Sequence, residues 1–255
     1  METGDIAARL DERLAIEDYA DIDASPNGLQ VGPDDRAVDH VAVAVDAAAE
    51  TIERASEAGA DLLVTHHGIV WGSVERVTGR TYDRVAPLIG NDLALYVAHL
   101  PLDGHQDLGN AAGLADLLEL TDRRPFGSMG PEYIGQAGTL ADPRPVEEIT
   151  GTLESSLDTG GQPVQLLDFG PDRVEEVAIV TGSGVDWLDE AVETGADLLI
   201  TGEGKQQAYH EAREAGLNVA LAGHYATETF GVRSLAARIE EWGPTTTFVD
   251  CPTGL

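Results

Sequence analysis

The sequence is short of positive charge. Only 15 of its 255 residues are lysine or arginine, against 46 aspartate and glutamate residues, and Lys205 is the single lysine. With a formal net charge of −31 the chain offers no basic surface, so we predict neither nucleic acid nor an anionic membrane as a partner. The acidic residues are spread along the whole chain rather than gathered in a tail. This pattern indicates adaptation to high salt, where charge repulsion reaches only about 3 Å at 1 M.

Cysteine and long apolar runs are scarce as well. Cys251 is the only cysteine, which excludes an intramolecular disulfide and a cysteine metal site within one chain. No apolar run reaches the roughly 18 residues of a membrane span, and the first residues lack the pattern of a signal peptide. We therefore expect a cytoplasmic protein, whose 42% hydrophobic content is enough for a packed core.

Two adjacent histidines follow an apolar strand in the first third of the chain. The order is a strand over residues 41–45, a helix over 47–58, a strand over 61–65, and then His66, His67 and Gly68. Open α/β sheets bind ligands at the carboxyl ends of their strands, and imidazole is a common ligand of transition metals. Neighbouring side chains of an extended segment point to opposite sides. The pair can therefore serve one metal only if the chain turns, which Gly68 permits, or else serve two metals.

The second half of the chain repeats the first. Residues 57–65, EAGADLLVT, are echoed by residues 193–201, ETGADLLIT, and each copy follows an apolar strand and a helix. With two copies, the repeat predicts a duplicated domain. We therefore predict an α/β fold of two similar lobes, 1–124 and 125–255, with a metal site in the cleft between them. The boundary is placed in a glycine- and proline-rich segment, 121–135, which is predicted to be a loop.

Each repeat also ends in the same polar spacing. His99 and Asp103 leave one strand in the first copy, and His224 and Glu228 leave the matching strand in the second. A helix predicted over residues 225–241 would stack His224 and Glu228 on one face of its first turn. Nitrogen and oxygen ligands without thiolate suit zinc, iron(II), manganese or nickel. Two such ions bridged by a carboxylate form a hydrolytic centre.

Each candidate also has a simpler interpretation. A His-His pair at a strand end is often only part of a loop, and polar pairs four residues apart on a helix are usually solvated. His99 is interpreted as a hydrogen-bonded histidine behind the ligands rather than a ligand itself. Glu203 occupies the repeat position opposite His67, where it either faces the cleft or makes a cap or ion pair. The Thr181–Gly184 turn has the glycines of a phosphate-binding loop, but such short runs are common.

Together these motifs resemble a known family, the Nif-three-like dinuclear metal-centre hexameric proteins, which are also described as GTP cyclohydrolase-like. The motifs cover essentially the whole chain and occur in the family's order. They are SPNGLQVG at 25–32, THHG at 65–68, His99 with Asp103, the TGSG turn at 181–184, and GHYATE at 223–228. One departure lies at His67-Gly68-Ile69, where many members have proline after the histidine pair.

The resemblance implies two metal ions held by the residues that match the family's ligands, namely His66, His67, Asp103, His224 and Glu228. It also implies a toroidal homohexamer with the metal sites facing an internal cavity. Our first functional hypothesis is a metal-dependent hydrolase acting on a nucleotide or another small anionic, phosphorylated compound, with His99 or Glu203 moving protons. The alternatives are a non-enzymatic protein of metal storage or delivery, and a scaffold whose metals only stabilise packing.

Overall fold

Two sheets, flanked by helices, make up the fold. The computed structural model describes all 255 residues. The helices are α1 Thr3–Leu14, α2 Ala49–Glu57, α3 Arg80–Gly90, α4 Leu100–Gly104, α5 Asn110–Leu117, α6 Val146–Ser156, α7 Leu188–Glu193, α8 Gln206–Ala215, α9 His224–Thr227 and α10 Thr229–Glu240. The strands are β1 Gly28–Val31, β2 His40–Asp46, β3 Leu62–His67, β4 Ala94–Val97, β5 Thr121–Met129, β6 Glu132–Pro145, β7 Gln165–Leu167, β8 Arg173–Ile179, β9 Leu198–Thr201, β10 Asn218–Leu221 and β11 Thr245–Phe248.

The chain divides into two compact units. One unit comprises Met1–Leu102 together with Gly231–Cys251, and the other comprises Asp103–Phe230 together with Pro252–Leu255. The first unit is discontinuous because β11, near the end of the chain, pairs in parallel with β2. The division into lobes at 124/125 remains a prediction. It differs from these units both in its boundary, since the chain first passes between the units after Leu102, and in this return of the chain.

In the first unit the sheet has the order β1-β4-β3-β2-β11. Its three central strands are parallel, and β1 runs antiparallel to β4 at one edge. Parallel strands are covered by helices on both faces, which explains why β2 and β3 are nearly continuous apolar runs rather than alternating ones. Ile52 of α2 and Leu88 of α3 pack with Leu63 and Leu95 in one core. This packing holds the carboxyl ends of β3 and β4 side by side.

The second unit repeats this arrangement and adds a hairpin. Its sheet has the order β5-β6-β8-β9-β10-β7, in which β8, β9 and β10 are parallel and β7 is antiparallel to β10. The four strands β7-β10-β9-β8 therefore correspond, in order and in direction, to the strands β1-β4-β3-β2 of the first unit. The predicted fold class, two similar α/β lobes, is confirmed.

A hydrogen-bonding detail shows the duplication at atomic level. Asp61 Oδ2 accepts the backbone N–H groups of Asp39 and His40 at 2.9 and 3.0 Å. Asp197 Oδ2 accepts those of Glu175 and Glu176 at the same two distances. In both units this aspartate directly precedes the strand that leads to the candidate residues. It connects the start of that strand to the start of its neighbour, which fixes their register.

The segment 121–135 was predicted as a loop, and that prediction is wrong. It contains β5 and the start of β6, an antiparallel hairpin whose turn lies between Met129 and Glu132. The residues of β5 are mostly exposed, so the segment lacks the apolar pattern of a buried strand. Pro125 is tolerated because β5 is the edge strand of its sheet, where a missing N–H is harmless.

Two predicted helices are shorter than expected. Apolar residues at positions 6, 10, 14 and 16 predict a helix over residues 4–20. Helix α1 instead ends at Leu14, because Ala15 adopts a left-handed conformation with φ of 50°, and a single 3-10 turn follows over Ile16–Tyr19. The helix predicted from 225 to 241 is divided into α9 and α10 at Glu228, which has φ of −105° and ψ of 8°. No helix is both long enough and apolar enough to cross a membrane.

Candidate functional site

Three histidines of the first unit form a cluster at the carboxyl ends of β3 and β4. His66 and His67 close β3, and His99 follows β4 by two residues. One ligand atom from each lies within 4.8 Å of the others. The ring centroid of His66 is 4.6 Å from that of His67 and 5.1 Å from that of His99. The sheet thus brings together residues that are distant in the sequence, and the group could hold a metal ion.

The two adjacent histidines are each oriented through Nδ1. His66 is buried, and its Nδ1 lies 3.0 Å from the carbonyl oxygen of Ala98. His67 Nδ1 lies 2.9 Å from Asp46 Oδ1, at the end of the neighbouring strand β2. Carbonyl and carboxylate oxygens only accept hydrogen bonds, so in each contact Nδ1 donates and carries the proton. The neutral rings therefore have their lone pair on Nε2, the form that binds metals.

His99 is held in the same way by a buried carboxylate. Its Nδ1 lies 2.8 Å from Asp23 Oδ1, and its backbone N–H donates to Asn27 Oδ1 at 2.7 Å. The Asp23 side chain is only 1% exposed, and its carboxylate also accepts from the N–H of Leu100 and from Asn27 Nδ2. Burial alone would raise the pKa of Asp23, but the hydrogen bonds and charge of its neighbours lower it, so the carboxylate is ionised at neutral pH. His99 is thus a hydrogen-bonded histidine, and its place behind the ligands stays a prediction, because its ring also belongs to the cluster with His66 and His67.

Local sequence patterns do not identify Asp23 and Asp46 as partners of the histidines. Asp46 lies 21 residues before His67, and Asp23 lies 76 residues before His99. Residues so far apart in the sequence give no local pattern that would predict either the Asp46–His67 or the Asp23–His99 contact. One signal that could have indicated the Asp46–His67 contact is the position of Asp46 at the end of the strand beside β3. The other was the SPNG motif, whose Asn27 both anchors the His99 backbone and donates to Asp23.

In the second unit, His224 lies between two carboxylates. Its Nδ1 is 3.0 Å from Glu203 Oε1, and its Nε2 is 3.2 Å from Glu228 Oε1. Glu203 follows β9 and His224 follows β10, so the sheet positions them as it positions the histidines of the first unit. Ser183 donates a further hydrogen bond to Glu203. His224 and Glu228 approach each other as predicted, although the helix between them breaks.

The charge of these carboxylates changes the protonation of His224. Burial would lower the pKa of the imidazole, but hydrogen bonds and charge from Glu228 and Glu203 outweigh it and raise the pKa to about 9. The Ser183 hydrogen bond is the largest cause that lowers the pKa of Glu203, and it prevails over partial burial. Positive charge is therefore stabilised at this imidazole in the protein without metal.

Gly182 allows the backbone to pass close to these side chains. A Cβ atom at Gly182 would lie 2.3 Å from Glu228 Oε1 and 3.0 Å from His224 Nε2, and its φ of +61° also favours glycine. Its N–H donates to Thr227 Oγ1, and that of Gly184 donates to Thr201 Oγ1. Both glycine amides are therefore used in packing the turn, which does not fit a phosphate-binding loop.

Asp103 is a buried carboxylate with a fixed orientation. Its Oδ1 accepts from Asn110 Nδ2 at 2.9 Å and from Thr181 Oγ1 at 3.1 Å. Asp103 and Glu228 are 7% and 3% exposed, and proteins bury carboxylates this deeply where they are paired or bind a cation. The five predicted ligands are thus three oriented imidazoles and two buried carboxylates, the donor set that zinc, iron(II), manganese and nickel accept.

Comparison with known proteins identifies the family. The family model for Duf34/NIF3 (NGG1p interacting factor 3) matches residues 1–251. The chain belongs to the Duf34/NIF3 family. Curated relatives of this NIF3 chain bear the name "GTP cyclohydrolase 1 type 2 homolog". One, from Halobacterium salinarum, is 57% identical over 255 residues and covers all of both chains. Another, from Escherichia coli K12, is 38% identical and covers 99% of each chain.

Solved structures show the same NIF3 fold. TTHA1606 from Thermus thermophilus has a TM-score of 0.90 and 38% identity, with all of both chains covered. Reduced HcgD from Methanocaldococcus jannaschii has a TM-score of 0.84 and 25% identity, with 98% of each chain covered. The expected family is confirmed, and so is the presence of histidine, aspartate and glutamate side chains that could hold a metal ion.

Proposed function

We propose that this NIF3 protein binds two divalent metal ions and hydrolyses a nucleotide or another small phosphorylated compound. The proposed ligands are His66, His67, Asp103, His224 and Glu228, and zinc, iron, manganese or nickel suits them. Two such ions would lower the pKa of coordinated water toward ~7 and so supply a nucleophile for hydrolysis at neutral pH.

The observation that carries the proposal is the shared orientation of the histidines. His66, His67 and His224 each direct Nδ1 at an acceptor oxygen, at 3.0, 2.9 and 3.0 Å. A metal-binding histidine typically donates its other ring N–H to a carboxylate or a carbonyl, which fixes the tautomer and strengthens the ligand. Asp23 orients His99 in the same way although His99 is not a proposed ligand, so the arrangement marks the whole histidine cluster and not the ligands alone. Finding it at every proposed histidine ligand supports metal binding.

His99 and Glu203 are the proposed proton carriers, and their contacts support different roles. Asp23 fixes the ring of His99 as a catalytic carboxylate fixes a general base, and this supports His99 as the residue that moves protons. Glu203 contacts the far nitrogen of His224 and has a lowered pKa, so it is a weak base. These contacts favour Glu203 as a positioning residue for His224.

A comparison of two histidine variants tests the hydrolase. We expect metal-loaded wild-type protein to hydrolyse at least one compound in a panel of nucleotides and phosphate esters. His99→Ala should keep its metal, because His99 is not a proposed ligand, and should lose about 10²- to 10⁴-fold in rate. His210→Ala, on the exposed surface of α8, is the control. Loss of metal in His99→Ala would make His99 a ligand, and metal transfer to a chelator without any turnover would favour storage or delivery.

We also propose a homohexamer in the cytoplasm of a salt-adapted cell. The hexamer is supported by the resemblance to the hexameric family. Salt adaptation is supported by the net charge of −31 and by the relative from Halobacterium salinarum, which is 57% identical. Light scattering should give a mass six times the 26.9 kDa of the chain, and a monomer mass at all salt concentrations would contradict the hexamer.

A further inference from the structure

An exposed tryptophan lies beside the histidine cluster of the first unit. The Trp71 ring meets His99 edge to face, with 5.0 Å between centroids and an interplanar angle of 83°. It is also 6.0 Å from the ring of His67. Trp71 is nevertheless 50% exposed, whereas tryptophan is highly buried on average in folded proteins. Neither the fold nor the proposed metal ligands require an exposed indole at this position.

The backbone on both sides of Trp71 is anchored. The N–H of Ile69 donates to Gln30 Oε1 at 3.2 Å, and the N–H of Gly72 donates to the carbonyl oxygen of Ala24 at 2.6 Å. Gly68 packs so closely that an added Cβ would lie 2.6 Å from Gln30 Nε2. The backbone that carries the indole is therefore fixed beside the histidines before any ligand arrives, which lowers the entropic cost of binding.

Trp71 also lines a surface pocket that is open to solvent. The pocket has a volume of about 640 Å³ and is lined by side chains of a single segment, from Ile69 to Thr81. This volume lies in the range of small-molecule sites. Val70 and Val74 give the wall an apolar part, while Arg76 and Glu75 give it charge. An apolar wall, an indole and a guanidinium suit a flat ring that carries polar substituents.

We propose that Trp71 is a substrate-binding residue that stacks on a planar aromatic ring. The substrate class is then a phosphate-bearing compound with such a ring, for example a purine nucleotide, rather than a sugar phosphate. This inference rests on the proposed function for the phosphate, but the stacking contact needs no turnover. Stacking a base on an aromatic side chain strengthens binding by about 5- to 150-fold.

Calorimetry with two probes tests the stacking contact. AMP carries a purine, and ribose 5-phosphate has the same phosphate without the ring. We expect AMP to bind wild-type protein more tightly, Trp71→Ala to weaken AMP binding by at least about 5-fold, and Trp71→Phe to keep most of it. Trp187→Phe should leave AMP binding unchanged, because its indole N–H donates to Ser128 in the other unit. Equal binding of the two probes, or of AMP to Trp71→Ala and wild type, would overturn the proposal.

Fluorescence and metal analysis separate this inference from the proposed function. The chain has three tryptophans, so Trp187→Phe with Trp242→Phe leaves Trp71 as the only one, and AMP should quench its emission saturably. Metal content is measured on the same samples. A full metal content in protein that does not bind AMP more tightly than ribose 5-phosphate would overturn the stacking role alone. Tighter binding of AMP by protein that contains no metal would overturn the metal centre alone. A changed assembly mass in Trp71→Ala with unchanged AMP affinity would make Trp71 an interface residue and overturn the inference.

Discussion

Removing Asp46 should weaken metal binding without removing any proposed ligand. Asp46 Oδ1 accepts from His67 Nδ1 at 2.9 Å, so its carboxylate fixes the tautomer that presents Nε2. In Asp46→Ala this partner is lost, and the imidazole is free to rotate or to carry its proton on Nε2. In Asp46→Asn the amide oxygen can still accept the hydrogen bond, but the negative charge is gone. The pair of variants therefore separates orientation from charge.

The size of the effect follows from the exposure of Asp46. Loss of a hydrogen-bonded partner behind a metal ligand typically costs about 10- to 100-fold in affinity, or about 1.4 to 2.7 kcal/mol. The Asp46 side chain is 34% exposed, so water screens part of its charge. We therefore expect the metal affinity to fall about tenfold in Asp46→Ala, the low end of that range, and about threefold in Asp46→Asn. Asp35→Ala, on the exposed surface, should show no change.

The assay is competition between the protein and a colorimetric zinc chelator at fixed pH and salt. Circular dichroism and thermal melting of each variant check that the fold is kept. The reasoning would be refuted if Asp46→Ala bound zinc as tightly as wild type and Asp35→Ala. It would also be refuted if Asp46→Asn lost more affinity than Asp46→Ala, because the amide retains an acceptor that alanine lacks.

Two further predictions concern stability rather than metal. Burial would raise the pKa of Glu176, but hydrogen bonds from Thr139 and Arg124 outweigh it and lower the pKa. A lowered folded-state pKa means that the stabilising effect of Glu176 is present above its ordinary pKa of 4.5 and is lost as the pH falls through the folded-state value. In urea denaturation, the advantage of wild type over Glu176→Gln should therefore shrink between about pH 6 and about pH 3, and a constant difference would contradict this. The net charge of −31 predicts that the melting temperature rises as potassium chloride increases from about 0.1 M to about 1 M, where screening shortens from roughly 10 Å to roughly 3 Å. A flat or falling melting temperature would count against salt adaptation.

The fold was predictable where local sequence repeats itself. The copies at 57–65 and 193–201 occupy equivalent strands, and their aspartates Asp61 and Asp197 make equivalent hydrogen bonds. The ends of the strands were predictable because the apolar runs stop there. The predicted strand ends place His66, His67 and His99 at the same edge of the sheet. The hairpin of β5 and β6 was missed because an exposed edge strand with proline and glycine lacks the alternating pattern on which strand prediction depends.

The supporting groups of the candidate site were the least predictable part. The carboxylates Asp23 and Asp46 meet their histidines only after the sheet has formed, and no local pattern links them. The break between α9 and α10 was missed because no glycine or proline marks it, and Glu228 takes a conformation outside the helical region. The ligand set and the number of metals remain predictions that rest on residue chemistry and on family membership.

Elemental analysis of anaerobically purified protein tests the central claim most directly. The samples are the wild type, Glu228→Ala, and the control Glu214→Ala from the exposed surface of α8. We predict two divalent metal ions per chain in the wild type and the control, and well below that number in Glu228→Ala. Wild-type protein without metal, or Glu228→Ala with its full metal content, would contradict the account.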